Sequence, residues 1–185
     1  MQEIPDSLKY VFKEARELIE TGDKASIQRS RDLLLDNPDA AVFTLYHNML
    51  ARIAKSLDQE EVAIAHLEKS LELEPNNAVA LVRVAEYKIR HGLNKEAQSL
   101  LREAASLGDL TPEVKARVVQ LMVKSGDASD ALSFASSAQA DNPNDRTIRS
   151  IYAKALQAND DYSGYEREAL VAIDLHDLKD SVQPR

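Results

Sequence analysis

Four histidines, His47, His66, His91 and His176, are the side chains best suited to acid–base work near neutral pH or to holding a transition metal. None stands three or four residues from another, so no helix face carries a zinc-type pair. His91 precedes Gly92 at a helix end, where an imidazole meets terminal carbonyls, and capping is the better reading there. Carboxylates cluster in Asp58-Gln59-Glu60-Glu61 and Asn159-Asp160-Asp161, at turns that precede helices, where they serve free N–H groups rather than acid–base catalysis. With five Gly and no Cys there is no Gly-rich phosphate loop, nucleophile elbow, calcium loop or thiolate site. The expectation is a non-catalytic chain with no cofactor and no metal.

The 185 residues suffice for one domain with a continuous core. They are 44% hydrophobic and 29% charged but carry only three Phe, six Tyr and no Trp, a mix that suits helices packed through small and aliphatic residues. A net charge of −8 disfavours nucleic acid as a partner, because such affinity rests on Lys and Arg displacing counterions. No stretch approaches the roughly 20 apolar residues that would insert into a membrane, and the opening Met1-Gln2-Glu3-Ile4-Pro5-Asp6 lacks the basic and apolar regions of a signal peptide. A cytoplasmic protein is expected.

The elements that position these side chains follow from an internal repeat. Pro75, Asp109 and Pro143 stand 34 residues apart at equivalent turns. In the same phase recur Ala63, Ala97 and Ala131; Leu67, Leu101 and Ala135; Ser70, Ala104 and Ala138; and Leu50, Val84 and Val118. Small residues fall where two helices must touch closely, and Asp58, Gly92 and Gly126 mark a tight turn between them. Each unit is therefore a helix, a turn and a second helix. Tyr152, Ala153, Leu156, Asp160, Tyr165, Ala169 and Ala172 continue the pattern, while Ala15, Leu18, Gly22-Asp23 and Pro38 form a looser N-terminal copy about two residues longer than its neighbours. In that copy Ser30 or Arg31 stands where a larger apolar residue is expected.

The period, the small-residue positions and the turn chemistry resemble those of the tetratricopeptide repeat (TPR) family, over residues 8 to 177. The aromatic that usually begins the first helix is missing from most copies, so the chain resembles a divergent member. The resemblance implies an all-α, right-handed superhelical solenoid of about ten helices in a single domain spanning 1–185. Its repeats fall at 7–40, 41–77, 78–111, 112–145 and 146–177, with 178–185 as a tail. It also implies a concave groove lined mainly by the first helix of each pair and, for function, a protein-binding scaffold.

On that geometry the groove positions include Lys9, Phe12 and Arg16; Leu45, Asn48, Arg52 and Lys55; Val79, Val82, Glu86 and Ile89; and Gln120. The first two helices offer cations and no acid, although the chain as a whole is acidic. Val79, Val82 and Ile89 add an aliphatic stripe. The expected partner is a peptide or amphipathic helix with acidic residues and an apolar anchor. Some TPR domains hold chaperone C-termini in a carboxylate clamp, but Phe12 and Val82 stand where that clamp needs polar side chains. The helix around Ser129, Leu132, Ser133 and Ser136 carries a single charge, and its smooth Ser/Ala face suits a second copy in a homodimer. The leading reading is an adaptor or assembly scaffold, chaperone-like in holding a partner segment. The alternatives are a regulatory or targeting module of a larger enzyme or secretion machine, and a self-associating chain.

Overall fold

A computed structural model describes the backbone of residues 3–181 and the side chains of residues 3–171. Among the described residues there are ten α-helices, one 3-10 turn and no strand. The helices come in pairs: α1 (Asp6–Thr21) with α2 (Lys24–Leu35), α3 (Thr44–Ser56) with α4 (Glu60–Leu73), α5 (Ala78–Arg90) with α6 (Asn94–Ser106), α7 (Pro112–Lys124) with α8 (Ala128–Asp141), and α9 (Arg146–Ala158) with α10 (Tyr162–Ser181). The chain divides into two compact units, Met1–Val84 and Ala85–Arg185. The helix α10 runs through Ser181, so the expected tail at 178–185 is helical in its first half. Ala172, Leu175 and the other side chains beyond 171 lie outside the described residues.

Helix ends repeat as regularly as helix faces. The N–H groups of Gln59, Leu93, Asp127 and Asp161 donate to the carbonyls of Ala54, Lys88, Met122 and Leu156, at 2.9 to 3.0 Å, and both series advance by 34 residues. This bond closes the first helix of a pair by reaching back over a residue in the left-handed conformation. Gly92 and Gly126 fill that position at φ 76° and 86°, but Asp58 and Asp160 fill it at φ 57° and 62°. Asp58 is thus a helix terminator rather than the cap expected, whereas Asp161 caps α10 by accepting from the Gly164 N–H at 2.9 Å. The first helices open in phase as well. Asn77, Thr111 and Asp145 accept from the N–H three residues on.

In Met1–Val84 the core is built by Leu8, Phe12, Ala15, Ile27, Leu34, Phe43, Tyr46, Leu50 and Ile53, all nearly inaccessible. Phe12 meets Phe43 edge-on at 6.4 Å, an arrangement worth about 0.5–1.5 kcal/mol beyond burial. Ser30 is fully buried between α1 and α2, and its hydroxyl donates to the Ala15 carbonyl at 2.9 Å. The left-handed turn residues Gly22 and Asp58 stand 36 residues apart against 34 for the turns that follow, so the N-terminal copy is two residues longer than the period, as expected. The extra length falls in the segment from α2 to α3, where Pro38–Val42 forms a 3-10 turn.

In Ala85–Arg185 the fully buried Ala97, Leu101, Ala104, Ala131 and Ala135 stand on second helices, opposite a core of Val118, Met122 and Ile148. Methyl side chains let helix backbones approach, and any larger side chain there would push them apart. Across α9 and α10, Arg149 and Glu168 form a pair at 2.6 Å with side chains only 16% and 12% exposed.

The turn chemistry makes a paired prediction. Gly92→Ala places a Cβ at φ 76° and lowers stability by about 1 kcal/mol. Asp58→Gly relieves the same conformation and raises stability by up to about 1 kcal/mol. Urea unfolding of both variants reads the two signs, and equal signs contradict the assignment.

Candidate functional site

The groove expected from the first helices takes a definite form in the N-terminal unit. A cavity of about 380 Å³ is lined by Arg16 and Ile19 of α1, Leu45, Asn48, Met49 and Arg52 of α3, Leu67 of α4, and Asn77, Val79 and Arg83 at the start of α5. Three arginines therefore line one cavity, and no carboxylate-bearing residue does. Arg16, Arg52 and Arg83 are exposed, and their side chains make no ion pair or hydrogen bond with any described residue. The neighbouring cations are occupied differently. Lys9 binds Asp6 at 2.9 Å and Lys13 approaches Glu17 at 4.0 Å, beside a second cavity of about 410 Å³ that Arg16 and Leu45 also line.

Asn48 adds a polar donor. Its Oδ1 accepts from the Ser70 hydroxyl at 2.9 Å, which leaves the amide's N–H groups as its donors. The floor is apolar, from Ile19, Leu45, Met49 and Leu67, with Val79 at the rim, 49% exposed. Such a site offers donors and positive charge over an aliphatic surface.

The predicted residues divide accordingly. Arg16, Leu45, Asn48, Arg52 and Val79 share the cavity, and Lys55 is exposed outside its lining. Phe12, Val82 and Ile89 belong to the core at 3%, 6% and 8% exposure, so the aliphatic stripe reduces to Val79. Glu86 pairs with Arg117, which also reaches Gln120. Gln120 lines a small cavity of about 160 Å³ in the C-terminal unit, with Val119, Val123, Ile151 and Lys154. On α8, Ser129, Ser133 and Ser136 are exposed and Leu132 is half-buried, while Asp130 is held with Asp127 by Arg102. Arg83 was missed because the helical spacing was counted from Val79 to Val82, whereas α5 presents Val79 and Arg83, one turn apart.

A second constellation was also missed. His47 of α3 and His66 of α4 meet Nδ1 to Nδ1 at 3.2 Å, and the Nε2–H of His47 donates to the Ala41 carbonyl at 3.1 Å. That bond leaves the Nδ1 of neutral His47 as an acceptor, so His66 supplies the proton between the rings. Searching one helix face could not reveal this pair, since its members lie 19 residues apart on two helices. Arg149 and Glu168 share that spacing and occupy the equivalent positions three repeats on. His91 does cap its helix, with Nδ1 on the Tyr87 carbonyl at 3.0 Å.

Burial lowers the pKa of both His47 and His66 from the ordinary 6.5, and the neighbouring His47 lowers His66 further. A histidine whose folded pKa is depressed is held neutral in the fold and takes up its proton more readily once unfolded. Its contribution is complete above pH 6.5 and is lost as the pH falls below that value. Wild-type stability should fall between pH 7.5 and pH 5, and His66→Gln should fall less over the same interval. Urea midpoints at the two pH values measure this, and parallel losses would remove the pair from the account.

No sequence-family model matches the chain, and no curated protein matches it. Solved structures do. A MamA double mutant, RS-1 ArsTM, aligns with a TM-score of 0.74 over 97% of this chain and 99% of that one, at 13% identity. Another MamA crystal structure gives 0.70 over 90% and 96%, at 14% identity. The TPR-like repeats of a putative kinesin light chain from Podosopora anserina give 0.70 over 95% and 97%, at 17% identity. The chain has an all-α TPR-like fold of helix-turn-helix repeats.

Proposed function

We propose that the chain is a non-catalytic interaction scaffold whose N-terminal unit holds an acidic segment of a partner protein, anchored by an aliphatic side chain. The observation that carries this reading is the convergence of Arg16, Arg52 and Arg83 on one cavity without a described acid to neutralise them. In a chain of net charge −8, such a site draws acidic ligand charge to one place and leaves the rest of the surface repulsive to it. The guanidinium fork matches a carboxylate with two parallel hydrogen bonds, and Asn48 supplies neutral donors beside it. Ile19, Leu45, Met49 and Leu67 then accept the apolar side chain that fixes register.

A chaperone-tail clamp fits less well, because Phe12 and Val82, which would have to present polar groups, are packed inside. No helix among the described residues is long and apolar enough to cross a membrane.

Reversing two of the three charges tests the reading. Arg16→Glu/Arg52→Glu should weaken partner capture by about 100-fold or more, since each charge-assisted bond contributes about 1.5–3 kcal/mol. Lys9→Glu, which alters a cation already tied to Asp6, should leave capture nearly unchanged. Affinity capture from native lysate with the three baits, quantified by mass spectrometry, distinguishes the outcomes. Identical protein lists from wild type and the double variant would contradict the assignment.

A further inference from the structure

His47 and His66 play no part in the arginine-lined cavity, and their geometry is that of two ligands to one ion. We propose that they form a two-histidine site for zinc or copper that cross-links α3 to α4. Two metal–nitrogen bonds of about 2.0–2.1 Å at a tetrahedral angle hold their nitrogens about 3.3–3.4 Å apart. The two Nδ1 atoms already stand 3.2 Å apart, with the rings tilted by 31°. Rocking the rings is enough to aim both lone pairs at one point between the helices.

The tautomers suit this use. His47 donates its Nε2–H to the Ala41 carbonyl, so its Nδ1 is the nitrogen free to ligate. A hydrogen bond from the far nitrogen to a backbone carbonyl is the outer-shell contact that orients ligating histidines. On His66 the proton now shared between the rings moves from Nδ1 to Nε2, and the ion takes the place it leaves. Both imidazoles stay neutral and no proton is released. No group of three His, Asp or Glu side chains capable of holding a metal occurs among the described residues, so water completes the coordination on the open side of these half-buried rings.

Imidazole pairs select borderline ions such as Zn²⁺ and Cu²⁺ over the oxygen-seeking Mg²⁺ and Ca²⁺. The charged side chains near His47 are Lys69 and Glu72, which bind each other at 2.7 Å and largely cancel, and the Tyr46 ring meets its edge. The equivalent positions of other pairs hold Leu81 and Leu100, Lys115 and Phe134, or Arg149 and Glu168. The site therefore belongs to the second helix pair alone.

The test is a calorimetric titration of Zn²⁺, and separately Cu²⁺, into the untagged, metal-free full chain at pH 7.5. One saturable event at a ratio of one ion per chain is expected. It should weaken by about tenfold or more in His66→Gln and stay unchanged in His91→Gln, since loss of a ligand costs at least what loss of an outer-shell partner does. Imidazole nitrogen NMR of the wild type provides a reading independent of any variant: Nδ1 of both His47 and His66 should move to metal-bound shifts. Unmoved signals, no saturable event, or an event that survives in His66→Gln would overturn the site. None of these outcomes bears on the arginine cavity, which shares no residue with the pair.

Discussion

Close approach between the two helices of a pair is the constraint from which the remaining features follow. Where backbones approach most closely the space suits a methyl group or a hydrogen-bonded pair, because an unpaired polar side chain there has no water, while wider positions on the same helices accept Leu67, Leu81 or Leu101. Ala97 and Ala131 solve the problem by being small, as Ala63 does in the same phase. Ser30 solves it by donating to Ala15, and Ser70 by donating to Asn48. At the position 19 residues apart, one repeat uses a histidine pair and another a largely buried Arg149–Glu168 ion pair. These substitutions are chemically unlike and geometrically interchangeable.

Function enters where that constraint ends. A side chain of a first helix that faces its paired second helix is fixed by packing, but one turned away from it is free to take any chemistry that water tolerates. Arg16 and Arg52 occupy such positions, and Arg83 joins them from the first turns of α5. Asn48 links the two regimes, holding α4 through its carbonyl oxygen while its side chain also lines the cavity. The arginines gain nothing from the fold itself, since no described residue neutralises them. On the proposed function, this unpaired charge on an acidic protein serves a ligand.

The helix pairs were legible in the sequence because every repeated feature has one local cause. The left-handed turn asks for Gly or Asp, the first-helix cap for Asn, Thr or Asp, and the crossing for Ala, each at a fixed distance from the last. The N-terminal copy was legible as a looser one two residues longer, but not that Pro38 begins a 3-10 turn, which a proline at a first helical position permits. The cavity was only half legible. Arg16, Asn48, Arg52 and Val79 follow from helical spacing, yet Val82 and Arg83 are neighbours that differ by 100° around α5. Counting alone cannot say which of them faces inward. The histidine pair required the repeat phase to be applied across two helices, where its 19-residue spacing coincides with that of Arg149 and Glu168.

The central claim, that the arginine-lined cavity reads acidic charge beside an aliphatic anchor, is tested most directly by selecting binders from a random peptide display library on the full chain. The account predicts enrichment of peptides carrying at least two acidic residues next to Leu, Ile or Met. It also predicts that their affinity falls as salt is raised and vanishes when Arg16, Arg52 and Arg83 are all changed to Gln. Enrichment of neutral or basic peptides, or acidic binders whose affinity survives the triple substitution, would contradict it.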